Sequence, residues 1–212
     1  MRRILFCLLF LLGSFSLSVL SQSASDMLIM MPDDLIPQLT VNNRKDMVDF
    51  AKLDRADNVM NRFGGHSRIT SLSENFLEVS LSEQSSMQLK ILPYRDTIIV
   101  GVIHTVSAPV RDSRIAFYTT DWEDMQTAEL WEIPDAEDFA ATKKSKDFRD
   151  AISLLDMWLA EYSFDKDDNY ITVRQTVGEY LPEEIAAKVT PYLSDQPLRY
   201  EWTGKRFKKA KQ

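Results

Sequence analysis

From Asn58 to Trp122 the chain alternates between apolar and polar side chains. In "NFLEVSLSE", Leu77, Val79 and Leu81 fall on one side while Glu78, Ser80 and Ser82 fall on the other. "SMQLKIL" repeats the pattern with Met87, Leu89 and Ile91. A period of two marks a strand with one buried face, and the link "SEQSS" is of hairpin length, so these strands pair antiparallel. "DTIIVGVIHTVSA" is apolar on both faces. That predicts a central strand covered on both sides, with Gly101 permitting a close approach or a bulge. "SRIAFYTT" follows a turn around "APVRDS", and "NVMNRFGGHSRITSLS" reads as a hairpin about Gly64-Gly65. Six short strands with short links predict a meander, not alternating βαβ units. Beyond them "MWLAEYSF" and "NYITVRQTV" form a second pair around "DKDD", and "PLRYEW" closes as the last strand.

Helical period is scarcer. "NNRKDMVDFAKL" starts a helix with Asn43 as its cap and places Met47, Phe50 and Ala51 on one face. "MPDDLIPQLT" (31–40) and "LPEEIAAKVT" (181–190) look alike, each setting two acids behind a proline. Proline suits a first helical turn, the acids complement its positive end, and Leu35/Leu39 and Ile185/Val189 are i,i+4 pairs. Shared helix-start chemistry explains the likeness better than duplication, and Pro37 limits the first segment to a turn or kink. Residues 131–146 show no period and mark a long loop or a sub-boundary. The fold class expected is α+β, an antiparallel β-meander sheet packed with a few short helices. The chain divides into a signal peptide (1–23) and a single domain (24–212).

Composition adds the compartment. "MRR" followed by an apolar run from Ile4 to Leu20 and the small residues of "SQSAS" has the form of a cleaved signal. The expectation is export to the periplasm or cell surface of a Gram-negative bacterium, with no integral membrane segment after cleavage. The only cysteine, Cys7, lies within the leader. Its removal excludes a cysteine nucleophile, thiolate metal sites and Fe–S clusters. Without Arg2 and Arg3 the balance is 23 basic to 32 acidic side chains, which argues against nucleic-acid binding. The basic tail "KRFKKAKQ" runs against that trend and reads as a solvated, frayed end, or as a weak attraction to an anionic membrane.

Candidate chemistry is sparse. His66 follows a predicted turn and is expected in solvent. His104 lies in the apolar strand near Ser107, Asp112 and Ser113, so a Ser–His–Asp arrangement is conceivable, though no glycine-flanked nucleophile turn accompanies it. "DKDDN" places Asp165, Asp167 and Asn169 at alternate positions, as in the start of a calcium loop. Tyr170 and Thr176 then stand where that loop needs glycine and glutamate, which favours a plain turn. Trp122 and Trp131 flank the acidic stretch "EDMQTAEL". Exposed beside carboxylates such as Asp121, they would suit a carbohydrate or a basic peptide; buried, they would staple the loop to the sheet. Trp158 and Trp202 are expected in strands and in the core. No phosphate loop is present among the six glycines, and no cofactor is expected.

The stretches "MPDDLIPQLTVNNRKDMVDF", "SENFLEVSLSEQSSMQLKILP", "VIHTVSAPVRDSRIAFYTTDW" and "LPEEIAAKVTPYLSDQPLRYEWTGKRF" carry a resemblance. The chain resembles an uncharacterised domain-of-unknown-function family of small exported proteins from Gram-negative, gut-type bacteria. The resemblance implies location and lineage and no catalytic residues. The expected function is a non-enzymatic envelope module that binds a carbohydrate or peptide. A structural or assembly subunit of an envelope complex and a hydrolase centred on His104 stay open as alternatives.

Overall fold

The computed structural model describes residues 22–141 and 144–210, so the expected leader, Cys7 included, lies outside the described residues but for its last two positions. Seven strands form an antiparallel meander in chain order. They are β1 (Val59–Met60), β2 (His66–Leu72), β3 (Phe76–Ser82), β4 (Ser85–Tyr94), β5 (Thr97–Ser107), β6 (Arg111–Tyr118) and β7 (Asp124–Met125). A second antiparallel sheet comprises β8 (Ala160–Phe164), β9 (Tyr170–Gln175), β10 (Leu198–Trp202) and β11 (Phe207–Lys209), in the order β11-β10-β9-β8. The helices are short: α1 (Ala24–Met30), α2 (Val41–Lys52), α3 (Thr127–Leu130), α4 (Lys146–Ile152), α5 (Val177–Tyr180) and α6 (Glu183–Val189). The chain is α+β, as the period-two pattern requires.

Both faces of the large sheet are covered. On one face Leu77, Val79, Leu89 and Val102 pack with Met27 and Leu28 of α1 and Met47 and Val48 of α2. On the other, Leu92, Ile99, Ile103 and Phe117 meet Tyr162, Phe164, Ile171 and Phe207 of the small sheet. β5 therefore contributes to two cores, Val100 and Val102 to one and Ile99 and Ile103 to the other. That is why its sequence is apolar throughout. Gly101 marks the closest approach of the layers: a β-carbon there would stand 2.6 Å from Phe164 Cζ and 3.2 Å from Phe117 Cε1.

The helical layer corrects one expectation. Thr40, not Asn43, caps α2; Asn43 completes the box by accepting from the Thr40 backbone N–H and hydroxyl. "MPDDLIPQLT" forms consecutive turns, within the limit that Pro37 sets, with the Leu35 N–H donating to the Pro32 carbonyl and the Leu39 N–H to the Ile36 carbonyl. Pro37 cannot continue a helix, while Ile36 and Leu39 are drawn fully into the core. Arg44, 1% exposed, reaches back from α2 to donate to Asp33 at 3.0 Å and to the Leu39 carbonyl at 3.0 Å. Asp33 also accepts from Arg62 at 2.9 Å, so one carboxylate ties the turns to the helix and to the β1–β2 hairpin. The second acid pair behaves as expected, with Glu183 and Glu184 in the first turn of α6.

The small sheet meets the large one edge first. The outward N–H groups of β8 do not face water: Ala160 donates to Asp112 (3.4 Å), Tyr162 to Ser113 Oγ (3.0 Å) and Phe164 to Gln88 Oε1 (2.9 Å). Lys90, wholly buried, donates to the carbonyls of Asp165 (3.1 Å) and Lys166 (2.9 Å) in the β8–β9 turn. Burial pushes its ammonium below the ordinary lysine value, against the pull of Asp165, Asp167 and Asp168. A strand edge that would otherwise invite foreign pairing is thereby sealed.

Two further expectations change. Within the described part of residues 131–146, Phe139 is buried, the Ser194 N–H donates to its carbonyl, and the Ala141 N–H donates to the Tyr192 carbonyl. Trp158 precedes β8 instead of lying in a strand, and both it and Trp202 are half-buried, whereas Trp131 is the indole in the core. The basic tail is not frayed through Lys209, because Phe207–Lys209 pairs with β10 and buries Phe207. Among the described residues no helix is long and apolar enough to cross a membrane.

Candidate functional site

The aromatic–acidic candidate separates into two halves on opposite faces of the large sheet. Trp131, 1% exposed, stands edge-on to Tyr162 at 5.2 Å and to Tyr200 at 5.4 Å. Burying an indole of this kind contributes about 5 kcal/mol of transfer free energy, enough to explain its retention without a ligand. Trp122 lies on the helical side, where it joins the edge of the other core. The pair expected from sequence is not a pair.

What remains at Trp122 is a built surface feature. β6 ends at Tyr118, and the chain turns back into β7 with Tyr118 opposite Asp124. Within the turn the Trp122 N–H donates to Thr119 O at 3.0 Å and the Thr119 N–H to Glu123 O at 2.9 Å. This geometry places Trp122 at φ +65°, the left-handed position where hairpin loops ordinarily carry glycine. Its ring lies 5.4 Å from Tyr118, tilted by 51°, and both rings are half-buried. Burial, with Asp124 and Asp34 adding, pushes the Tyr118 hydroxyl above its usual value. Asp121 is exposed at the tip of the same turn. An aromatic ledge results, with carboxylates supplied by the hairpin and by the turns before α2.

Sequence reasoning missed two members of this ledge. Tyr118 carried a signal, being four residues before Trp122 at the end of a strand. Asp34 carried none, since only the fold brings residues 31–40 to this hairpin.

The other candidates are placed as follows. His104 faces the helical side of β5, with Met87 and Arg114 as its cross-strand neighbours. Burial pushes its imidazole below the ordinary value. The Ser113 hydroxyl is engaged on the opposite face, bonded to Thr105 at 2.8 Å and accepting from the Tyr162 N–H, while Asp112 accepts from Ala160. No hydrogen bond joins His104 to Ser107, Asp112 or Ser113 among the described residues. His66 is exposed at the start of β2.

In "DKDDN" the Asp165 carboxylate folds onto its own turn, accepting from the Asp167 (2.9 Å) and Asp168 (2.6 Å) N–H groups. Burial opposes its ionisation, but the Tyr170 hydroxyl, these N–H groups and Lys90 together hold it below the usual carboxylate range. Asp167 is exposed and Asn169 is half-buried. The cation beside this turn is the Lys90 ammonium itself. Among the described residues no three of His, Cys, Asp and Glu are placed to hold a metal ion.

Comparison with known proteins follows the fold. The structure of a domain of an uncharacterized protein from Porphyromonas gingivalis W83 is similar, with a TM-score of 0.77 at 27% identity, covering 89% of this chain and 98% of that one. No curated protein matches the sequence. The profile of the family described as "Protein of unknown function (DUF3256)" matches residues 16–207, and the chain belongs to that family.

Proposed function

We propose that this protein is an exported, non-catalytic binding module of the Gram-negative envelope whose ligand is a saccharide held on the Tyr118–Trp122 ledge. The observation that carries this reading is Trp122 itself. A bulky side chain at φ +65° costs about 1 kcal/mol or more in backbone strain, and such strain collects at binding sites. Here it presents part of an indole next to a second aromatic ring, near three carboxylates, Asp34, Asp121 and Asp124. Aromatic faces stack on the C–H face of a sugar ring, and carboxylates accept from its hydroxyls. The leader-like start "MRRILFCLLFLL" supports export, and a size shift between precursor and exported protein checks it.

Calorimetric titration of the protein without its first 21 residues, against neutral and amino-sugar oligosaccharides, tests the ligand. The expected result is binding tighter than about 1 mM that weakens at least tenfold in both Trp122→Ala and Asp124→Asn. Binding that ignores both substitutions, or no binding to any saccharide, overturns the reading. A Trp122-dependent response to a lysine-rich peptide instead replaces the saccharide as ligand class.

A second reading, an assembly subunit, draws on a different observation. Met60 is 67% and Phe63 71% exposed, where the Asn43 side chain ties the start of α2 to β1. Exposed Val41 lies at the same junction. Such a grouping suits a protein contact.

A further inference from the structure

The leader-like start offers more than one place to cut, and the fold discriminates between them. A small residue at the cut, with another two places before it, occurs as Ser21/Ser23 ahead of Ala24 and as Ser23/Ser25 ahead of Asp26. Val19/Ser21, ahead of Gln22, fits the pattern less closely, and Ser16/Ser18 falls inside the apolar run. Sequence alone therefore favours Ala24 as the first residue of the exported chain.

The structure opposes that choice, because Ser23 is part of the folded domain. Its hydroxyl accepts from the Asp26 N–H at 3.2 Å, and the Asp26 carboxylate accepts from the Ser23 N–H at 3.0 Å and from its hydroxyl at 2.7 Å. Both halves of a capping box thus close the start of α1. The next residue is held more firmly still. Ala24 is wholly buried, and its N–H donates to the Glu74 carbonyl, between β2 and β3, at 2.8 Å. Behind it Met27 and Leu28 enter the helical-side core. A cut after Ser23 would remove the cap and turn the Ala24 amide into an ammonium. That charge would be buried, and it would stand at the positive end of α1. A cut after Ser25 would also take Ala24 out of the core. A cut after Ser21 leaves the box and the Glu74 bond whole, and sets the new charge one residue outside the cap.

We infer that the Ser21–Gln22 bond is the processing site and that the mature chain begins at Gln22. A signal peptidase of the exporting membrane breaks this bond by hydrolysis, water adding to leave a carboxylate on Ser21 and an α-ammonium on Gln22. The inference rests on the export proposed above and is independent of the saccharide and its ledge.

The test expresses the full chain with its leader in a Gram-negative host and identifies the N-terminal peptide of the product by tandem mass spectrometry. The expected first residue is Gln22. Ser21→Leu, which puts a large residue at the cut, abolishes that start. Ser23→Asn keeps a capping side chain while enlarging the position before Ala24, and leaves the Gln22 start unchanged. Two purified chains, one beginning at Gln22 and one at Ala24, separate the products by stability: the second melts about 3 °C or more lower, having lost its cap. A product that begins at Ala24 or Asp26, a cut that survives Ser21→Leu or moves in Ser23→Asn, or equal melting of the two chains overturns the inference while export stands. A native chain that stays uncut overturns export itself, and the inference with it.

Discussion

The two layers that cover the large sheet are attached by different physics. The helical layer satisfies most of its backbone internally, so it needs only an apolar face and one buried cation, Arg44, with its carboxylate. The small sheet arrives at β8 with open N–H groups, and each must find an acceptor in the layer below. Apolar contact is tolerant of small shifts, whereas hydrogen bonds in register are not. The β8 seam therefore fixes the position of its layer more tightly than the helices fix theirs.

The comparison can be broken most severely at Gly101. Gly101→Val drives a side chain into Phe164 and Phe117, and is expected to lower stability by about 3 kcal/mol in denaturant unfolding. Gln88→Leu strikes the seam alone by stranding the Phe164 N–H, a loss of about 2 kcal/mol. Hydrogen exchange should then quicken in β8 and β9 while α1 and α2 keep their protection. Asp33→Ala is the mirror experiment. It leaves Arg44 buried without its carboxylate, but Asp33 is itself partly exposed, so water softens the loss to about 1.5 kcal/mol. Exchange should quicken in α2 and leave the small sheet untouched.

Alkaline pH sharpens the contrast by the smallest margin. Burial, with Asp112 adding, pushes the Tyr162 hydroxyl up to about 12. The unfolded chain then gives up this proton first, near the ordinary tyrosine value of about 10, so stability falls as pH rises between the two values. By pH 11 the loss from this group is about 1 kcal/mol. Tyr162→Phe should remove that part of the alkaline decline in melting temperature. Tyr200 is raised by burial in the same sense and should keep the remainder.

Much of this architecture was legible, and the misses share a cause. Alternation in β3 named the buried residues Leu77, Val79 and Leu81, and the doubly apolar β5 was seen to be covered on both sides. Gln88 and Lys90 carry the same alternation, yet they meet a second sheet instead of water. A period of two says which face a residue takes; it does not say what that face meets. For Trp131 the choice between exposed and buried stays open in the sequence because an aperiodic segment gives no clue to burial, and β11 is missed because Phe207 between lysines is too short a pattern to register as a strand. Of the candidate site, Trp122 and Asp121 could be named from sequence, while Asp34 depends on a contact between distant parts of the chain.

The left-handed turn at Trp122 has an evolutionary consequence. Glycine or asparagine would relax the backbone there, so thermodynamic drift should favour either one wherever the indole has no task. Relatives that keep a large aromatic at this position despite the conformational penalty are the ones to assay first. Those that have relaxed to glycine serve as natural negative controls.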